Sequence, residues 1–263
     1  MGENNRHNLA ANFLTPVTWQ FYCDNITKSS NCTDSVANGP PLNAAEGVKY
    51  HQEDSYTGYF YTPPDGNCTI NPQTCAGHFV NCNCKWATYG DAQMHWNNVT
   101  LTSRGPLEGN SGYPYSAMHQ IWAAANETNN NVVMWWWYPD SLLEKYKDTE
   151  ARFHRIAWSK PTQKCLTWRR SNIDNCSQED GRRRGTDPIS LCDYPIEKIM
   201  KLLSKSLKVM NDNTPEAKRS PAFPLIKRLR MKPYAMDEIL RHGVDSREAT
   251  CKFVYDNLEM LIQ

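Results

Sequence analysis

An apolar run at residues 132–138 dominates the hydrophobic pattern and predicts a β-strand that is buried on both faces. It holds three consecutive tryptophans and stops at Pro139, which cannot continue a central ladder. Strand alternation puts Trp135 and Trp137 on one face and Trp136 on the other. Core packing is the alternative interpretation, but three indoles at one strand end cannot all be buried with their N–H groups paired. Because open α/β sheets bind ligands at the carboxyl ends of strands, Trp137 is the leading binding candidate.

A helix is predicted just ahead of this strand, over residues 115–126. Pro114 stands at its start, the usual place for proline at a helix entrance. The apolar stripe of this helix consists of Met118, Ile121, Trp122 and Ala125. Together with the tryptophan strand the helix forms an αβ unit. Its amino end, near Tyr113 and Tyr115, presents free N–H groups that suit an anionic ligand group.

The remaining pattern predicts short elements separated by polar loops. Strands are expected at residues 14–22, 56–61, 99–102 and 153–158, and helical segments at 91–96, 141–146, 225–231, 234–242 and 245–261. Residues 1–12 are polar and expected to fray, 23–48 and 63–76 are loops with cysteines, and 159–190 are irregular and basic. The apolar spacing of residues 196–207 by itself fits a helix.

Six N-x-Ser/Thr triplets, beside an even number of cysteines, indicate a glycosylating and oxidising compartment. The alternative is that an Asn-rich chain produces such triplets by chance. The acceptor asparagines are Asn25, Asn31, Asn67, Asn98, Asn126 and Asn175.

The ten cysteines favour disulfides over a metal site. A zinc site built around Cys82-Asn83-Cys84, Cys75 and His78 would need a second matching pair, so neither a metal nor another cofactor is predicted. The C-x-C loop is too tight for its own cysteines to bridge. Short disulfide loops are plausible for Cys23 with Cys32 and for Cys68 with Cys75, and longer closures stay open among Cys165, Cys176, Cys192 and Cys251.

Charge and hydropathy exclude several classes of protein. With 29 basic and 28 acidic residues the net charge is +1, which gives no general argument for nucleic acid or anionic membranes. The sequence holds no apolar run long enough to cross a bilayer. Residues 1–6 lack the apolar core of a signal peptide and the Ser/Thr of a myristoylation signal, so we expect a fragment or an internal domain of a secretory chain. The triplet Arg182-Arg183-Arg184 contacts phosphate or forms a solvated loop, and the lack of interleaved aromatics favours the loop.

The order of motifs from about residue 110 onward resembles the glycine betaine/choline substrate-binding proteins of ABC uptake systems. The matching residues are Val132-Val133, Trp137-Tyr138-Pro139, Leu143-Glu144-Lys145-Tyr146, Cys192-Asp193-Tyr194-Pro195, Pro215-Glu216-Ala217 and Met236-Asp237-Glu238-Ile239-Leu240. The resemblance implies an α/β, type II periplasmic-binding-protein-like fold with two lobes, of which the first is incomplete. It implies a polar N-terminal segment at 1–20, mostly second lobe with cysteine-rich loops at 21–187, and a return segment of the first lobe with C-terminal helices at 188–263. It also implies a strand at 196–203, against the helical spacing.

The same resemblance implies an aromatic cage for a quaternary ammonium ligand, which cation–π attraction holds without hydrogen bonds. It gives Trp137 the cage position at the strand end. Asp140 stands where the family often contacts a ligand carboxylate, and its negative charge favours a positively charged ligand such as choline. Further candidates are Trp136, Trp86, Tyr113 and Tyr115.

The sequence therefore predicts a non-enzymatic, extracellular domain that binds a small cationic or zwitterionic solute in transport or receptor sensing, fused to or docking on a membrane protein. A secreted carbohydrate-binding or carbohydrate-cleaving protein is the alternative, since exposed tryptophans also stack on sugars. Cleavage would need two facing carboxylates, and Asp140 and Glu144 are the nearest pair in sequence. A structural module that has lost its ligand is the third interpretation.

Overall fold

The computed structural model describes residues 3–18, 47–51, 57–86, 88–103, 105, 112–196, 200, 202–228, 233–241 and 246–257. The chain divides into two compact units. Unit 1 comprises Met1–Trp136 and Arg155–Tyr194, and unit 2 comprises Trp137–His154 and Pro195–Gln263. The backbone therefore passes from one unit to the other three times. The lobe boundaries implied by the family resemblance stay a prediction.

Unit 1 holds five short strands and five helices among its described residues. The strands are β1 (Thr15–Thr18), β2 (Gly47–His51), β3 (Thr57–Tyr61), β4 (Gly77–Phe79) and β5 (Leu101–Ser103). The helices are α1 (Glu3–Asn12), α2 (Gly90–Trp96), α3 (Tyr115–Thr128), α5 (Gln163–Asn172) and α6 (Asp180–Arg184). Single 3₁₀ turns lie at Pro64–Gly66, Cys84–Trp86 and Pro188–Leu191.

The strands of unit 1 form one antiparallel and one parallel sheet. The antiparallel sheet has the order β1-β3-β2, with Tyr61 of β3 opposite Thr15 on one side and Gly47 on the other. β4 and β5 run parallel, with Gly77 opposite Leu101, and α2 connects them. A β-strand, a helix and a parallel β-strand in this order form a short βαβ connection. The predicted strands near 56–61 and 99–102 are thereby confirmed.

The tryptophan segment runs parallel to the extension of β4 but forms only an isolated bridge, between Val80 and Met134. The amide of Val80 donates to the carbonyl of Val133 at 2.9 Å, and the amide of Trp135 donates to the carbonyl of Val80 at 2.9 Å. The prediction of a full strand buried on both faces is wrong, because the three indoles are half-buried and the segment carries a single bridge residue, Met134, in place of a strand.

The extension of β4 also pairs with the approach to α3. Cys82 bridges Tyr113 in parallel, and the amide of Tyr113 donates to the carbonyl of Asn81 at 2.9 Å. Gly112 makes this close approach possible, since its φ is +115° and a Cβ there would collide with the carbonyl of Cys82.

Two apolar clusters fill unit 1. The larger one packs α3, through Met118 and Ile121, against Phe60 of β3 and Val80. The smaller one joins Phe79, Met94 and Leu101, with Leu9 of α1 and Trp158 partly buried against it. The expectation that residues 1–12 fray is wrong for residues 3–12, since these form α1, which contacts β4.

A buried arginine makes several contacts in unit 1, and it lies within residues 159–190, for which the sequence predicts irregular structure. Arg169, on α5, is fully buried. Its guanidinium donates to the carbonyls of Cys192 at 3.0 Å and Asp193 at 2.8 Å. Its guanidinium carbon lies 4.6 Å from the ring centre of Tyr89 and 5.4 Å from that of Tyr194. Residues 159–190 thus contain two helices, α5 and α6, which corrects the irregular prediction.

Unit 2 is helical in its described part. Its helices are α4 (Ser141–Tyr146), α7 (Lys205–Asn213), α8 (Ala222–Arg228), α9 (Pro233–Arg241) and α10 (Ser246–Asp256), with a 3₁₀ turn at Glu216–Lys218. α9 contacts both α4 and α10. Neither the strand nor the helix expected around 196–203 is found at residues 196, 200 and 202–204, where Ile196 and Leu202 are more than nine-tenths exposed. The strand predicted at 153–158 is likewise absent, because none of those residues belongs to a strand or a helix.

Candidate functional site

The segment that carries Trp137 is anchored in unit 2 by its next residues. The Tyr138 hydroxyl donates to the Asp237 carboxylate on α9, and this hydrogen bond raises the pKa of Tyr138 to about 12. Asp140 is buried and begins α4 as its N-cap, with its Oδ1 accepting from the amide of Leu142 at 2.9 Å. Trp137 itself is half-buried. Trp137 is therefore followed by Tyr138, which donates to a carboxylate, and by Asp140, whose own carboxylate accepts from a backbone amide.

The second carboxylate of the predicted pair, Glu144, is held by ion pairs. It is 8% exposed, and its Oε2 lies 3.4 Å from Nζ of Lys147 and 3.8 Å from a guanidinium nitrogen of Arg241 on α9. Asp140 caps a helix and Glu144 joins α4 to α9, so both carboxylates have structural partners. This arrangement gives no support to paired acid–base chemistry across a sugar bond.

Three aromatic side chains meet on unit 1, and we call them the Tyr115 ring cluster: Tyr115, His119 and Trp136. The Tyr115 and Trp136 rings stack with their centres 5.8 Å apart at 25°. His119 stands edge-on to both, 4.4 Å from Tyr115 and 5.2 Å from Trp136. Tyr115 is 38% exposed, whereas Trp136 is half-buried. Sequence reasoning named Tyr115 and Trp136 but missed His119, one helical turn beyond Tyr115.

Tyr113 lies inside unit 1 rather than on its surface. It is 7% exposed, and its hydroxyl oxygen is 3.1 Å from Nε2 of His78. The other ring nitrogen of His78 is 3.4 Å from the Thr15 hydroxyl, and complete burial lowers the pKa of His78 to about 3. Tyr113 is thus committed to a buried polar pair, whereas Trp86 ends a 3₁₀ turn with 44% of its surface exposed.

A cavity of about 250 Å³ opens beside His78 in unit 1. Hydroxyl groups and one carboxylate border it, from Thr15, Thr74, Thr102 and Asp65. Its volume is below the range of about 300–1,000 Å³ that small-molecule sites occupy. The six predicted ligand residues are not among the residues that line this cavity.

The cysteines form disulfides that the sequence predicts in part. Cys68–Cys75 is bonded as expected, and Cys165–Cys192 closes one of the longer loops. Cys84–Cys176, 92 residues apart, was not foreseen, because nothing local links the two positions. Among the described cysteines, Cys82 and Cys251 carry free thiols, and burial raises the pKa of Cys82. Cys23 and Cys32 lie outside the described residues.

Of the cysteines considered for zinc, Cys75 and Cys84 are in disulfides and only Cys82 is free, and a different group of three residues brings potential ligand atoms together. His7, Cys68 and Cys75 place their ligand atoms within 4.8 Å of one another, but the two sulfurs are joined to each other. Cys84 is likewise in a disulfide. Zinc ligation needs free thiolates, so these side chains in their bonded form do not fit a zinc site.

The acceptor asparagines differ in exposure. Asn98 and Asn126 are exposed, whereas Asn67 and Asn175 are half-buried, and Asn25 and Asn31 lie outside the described residues.

The arginine triplet 182–184 pairs in part with acidic neighbours. Arg183 is buried between Asp91 and Asp180, and Arg184 also contacts Asp180.

No protein-family model, curated protein or solved structure matches this chain. Three disulfides fit a protein from an oxidising compartment. None of the described helices combines the length and the apolar character that crossing a membrane requires. The likeness to glycine betaine/choline-binding proteins therefore rests on the sequence motifs alone.

Proposed function

We propose that this chain is a non-enzymatic, extracellular solute-binding domain for a small quaternary ammonium compound of the choline or glycine betaine kind. The family resemblance gives the fold as an α/β, type II periplasmic-binding-protein-like domain with an incomplete first lobe. The domain acts in transport or receptor sensing and is fused to, or docks on, a membrane protein. It needs no cofactor.

One observation carries the proposal: Trp137 is half-buried and is followed closely by residues that hold carboxylates in place. Asp140 is fixed by the amide of Leu142, and Asp237 is fixed by Tyr138. An indole face together with fixed negative charge attracts an organic cation, and the ligand needs no hydrogen-bond donor. The charge of Asp140 favours choline over glycine betaine, whose carboxylate it repels.

The energetics predict weak binding by this chain alone. One aromatic contact contributes about 0.5–2 kcal/mol to cation binding. A micromolar dissociation constant needs about 8 kcal/mol and a millimolar one about 4 kcal/mol. Trp137 by itself therefore supplies at most about half of what millimolar binding needs. The fixed carboxylates have to supply the rest, and tighter binding needs aromatic groups from a complete first lobe.

Calorimetric titration with choline tests the proposal. We expect Trp137→Ala to weaken choline binding by about twofold to thirtyfold, the effect of removing one cation–π contact. Tyr255→Ala removes a mostly exposed aromatic side chain from α10 and serves as the matched control, with unchanged affinity expected. Equal choline affinity for Trp137→Ala and the unaltered chain would contradict the proposal.

A substitution at Asp140 separates its charge from its capping role. Asp140→Asn keeps a side-chain oxygen for the amide of Leu142, so α4 keeps its cap. We expect this variant to lose affinity for choline but not for zwitterionic glycine betaine. An equal loss for both ligands would show that the charge of Asp140 does not select the cation.

The alternative, a carbohydrate-binding protein, is favoured by one feature, the stack of the partly exposed Tyr115 on Trp136. Aromatic faces pack against the apolar faces of sugars as well as against cations. A glycan array read beside a panel of small amines distinguishes the two functions. Sugar binding that Tyr115→Ala abolishes and Trp137→Ala leaves intact would establish the alternative.

A further inference from the structure

Three of the six acceptor triplets place a cysteine directly after the asparagine. They are Asn31-Cys32-Thr33, Asn67-Cys68-Thr69 and Asn175-Cys176-Ser177. In the two that the structure describes, this cysteine is bonded, to Cys75 and to Cys84 respectively. We infer that disulfide closure and glycan attachment compete at Asn67 and Asn175, whereas Asn98 and Asn126 accept glycans without this competition. The inference rests on the secretory placement in the proposed function.

The folded loop at Asn67 ties up the acceptor triplet. The Oδ1 of Asn67 accepts from the amides of Thr69 at 2.9 Å and Ile70 at 3.3 Å. The carbonyl of Asn67 accepts from the amide of Asn71 at 2.8 Å. Cys75, the disulfide partner of Cys68, is fully buried. Once this disulfide closes, the triplet is wound into a turn whose side-chain amide is no longer free to reorient.

The loop at Asn175 is held by different contacts with the same result. The amide of Cys176 donates to the Asp174 carboxylate at 3.2 Å. The hydroxyl oxygen of Ser177 accepts from the amide of Glu179 at 3.1 Å, and its carbonyl accepts from Arg183 at 2.8 Å. The hydroxyl residue of the triplet is therefore already engaged when Cys176 is bonded to Cys84.

Asn98 and Asn126 differ in the residue that follows the asparagine, although Asn126 lies in the last turn of α3 and its carbonyl accepts from the amide of Asn129 at 3.4 Å. Their side chains are exposed, and the residues that follow them are Val99 and Glu127, which cannot form a disulfide. Asn98 follows the end of α2 with a φ of +56°, so it projects from a tight turn. Folding does not engage these two acceptors through a covalent bond.

The two reactions act on neighbouring residues of the same triplet, the asparagine and the cysteine that follows it. In glycan attachment, Nδ2 of asparagine bonds to the anomeric carbon of a lipid-linked glycosyl diphosphate, the carbon–oxygen bond breaks, and the diphosphate leaves with that electron pair. The amide proton passes to a base of the transferase. In closure, the two thiols lose two protons and two electrons to a disulfide oxidant by thiol–disulfide exchange. The transferase must bind the triplet as open chain, so whichever reaction comes first limits the other.

Site-by-site glycan occupancy tests the inference. The full chain is secreted from a eukaryotic cell, and mass spectrometry measures the glycosylated fraction at each asparagine. We expect higher occupancy at Asn98 and Asn126 than at Asn67 and Asn175. Cys75→Ser keeps the triplet at Asn67 and should raise occupancy there by about twofold, as expected when one of two reactions of comparable rate is removed. Cys84→Ser should do the same at Asn175, and each variant is the control for the other site.

A brief pulse of dithiothreitol during synthesis of the unaltered chain provides a second arm that does not depend on a variant folding. Blocking oxidation should raise occupancy at Asn67 and Asn175 and leave Asn98 and Asn126 unchanged. Full occupancy at Asn67 and Asn175 without either treatment would overturn the inference alone. Attachment at none of the four sites would overturn the secretory placement with it, and choline titration of the same protein reports separately on ligand binding.

Discussion

At the scale of single residues, His78 is a buried imidazole whose surroundings disfavour its protonated form. Its ring nitrogens face the hydroxyls of Thr15 and Tyr113, and burial lowers its pKa to about 3. In the unfolded chain its pKa is near 6.5. Between these values the unfolded state binds a proton that the folded state does not, so the stability associated with His78 is complete above pH 6.5 and is lost progressively as pH falls toward 3.

We therefore expect the free energy of unfolding to fall by about 1.4 kcal/mol per pH unit below pH 6 through His78 alone. Urea titrations between pH 6.5 and 5, above the range where most carboxylates titrate, measure this slope. His78→Gln removes the titrating group and should flatten the slope. A slope that His78→Gln leaves unchanged would mean that the ring is accessible to protons in the folded state.

Arg169 shows what a buried cation does when its partners are carbonyls and rings. Replacing it with glutamine removes the guanidinium donor of the buried Asp193 carbonyl and one of two side-chain donors of the Cys192 carbonyl, which still accepts from Gln93 at 2.9 Å. We expect Arg169→Gln to lower the free energy of unfolding by about 2–4 kcal/mol. Arg170→Gln, at the exposed neighbouring position of α5, is the matched control in the same urea titration and should change it little. Equal effects of the two changes would contradict the role assigned to Arg169.

At the scale of elements, the helices that carry their own signals were predicted well. α3 begins after Pro114 and buries Met118 and Ile121, as its apolar spacing indicated. α5 carries no such stripe, because its buried residues are Cys165 and Arg169. A pattern that counts arginine as a surface residue cannot find a helix whose inner face is an arginine.

The prediction of a strand for the tryptophan segment is wrong for a different reason. Its residues favour extended structure, but a strand also needs a neighbour whose length and register are set elsewhere in the chain. In the extension of β4, Val80 bridges Met134 of the tryptophan segment, and Cys82, two residues further on, bridges Tyr113. The local pattern of a segment does not indicate which distant segment it pairs with.

The N-cap of α4 gives a prediction at this scale. Asp140→Ala removes the oxygen that accepts from the amide of Leu142 and should cost about 0.5–2 kcal/mol of stability. Asp140→Ser keeps a capping oxygen and should recover most of this loss. Chemical denaturation of the three proteins side by side measures the difference, and a serine variant as unstable as the alanine variant would exclude capping as the cause.

At the scale of the whole molecule, the cysteines are distributed unevenly between the units. Nine of the ten cysteines fall within the ranges of unit 1, and Cys251 alone falls within those of unit 2. The three disulfides seen among the described residues all lie in unit 1. The cysteine count predicted disulfides, but only the fold reveals that they stabilise one part of the chain.

Reduction should therefore act on one unit. Each long closure, Cys84–Cys176 and Cys165–Cys192, is expected to contribute about 3–5 kcal/mol through restriction of the unfolded chain. Hydrogen exchange under a phosphine reductant should accelerate at α2 and α5 and stay unchanged at α9 and α10. The Cys251→Ser variant controls for intermolecular disulfides, and equal acceleration in both units would contradict this partition.

The three backbone crossings between the units have a practical meaning for anyone who dissects this protein. A gene truncated after codon 194 encodes unit 1 but also retains residues 137–154, and with them α4. Without α9, Glu144 loses Arg241 and the buried side of α4 faces water. A fragment limited to unit 1 therefore has to lack residues 137–154 as well as those after 194.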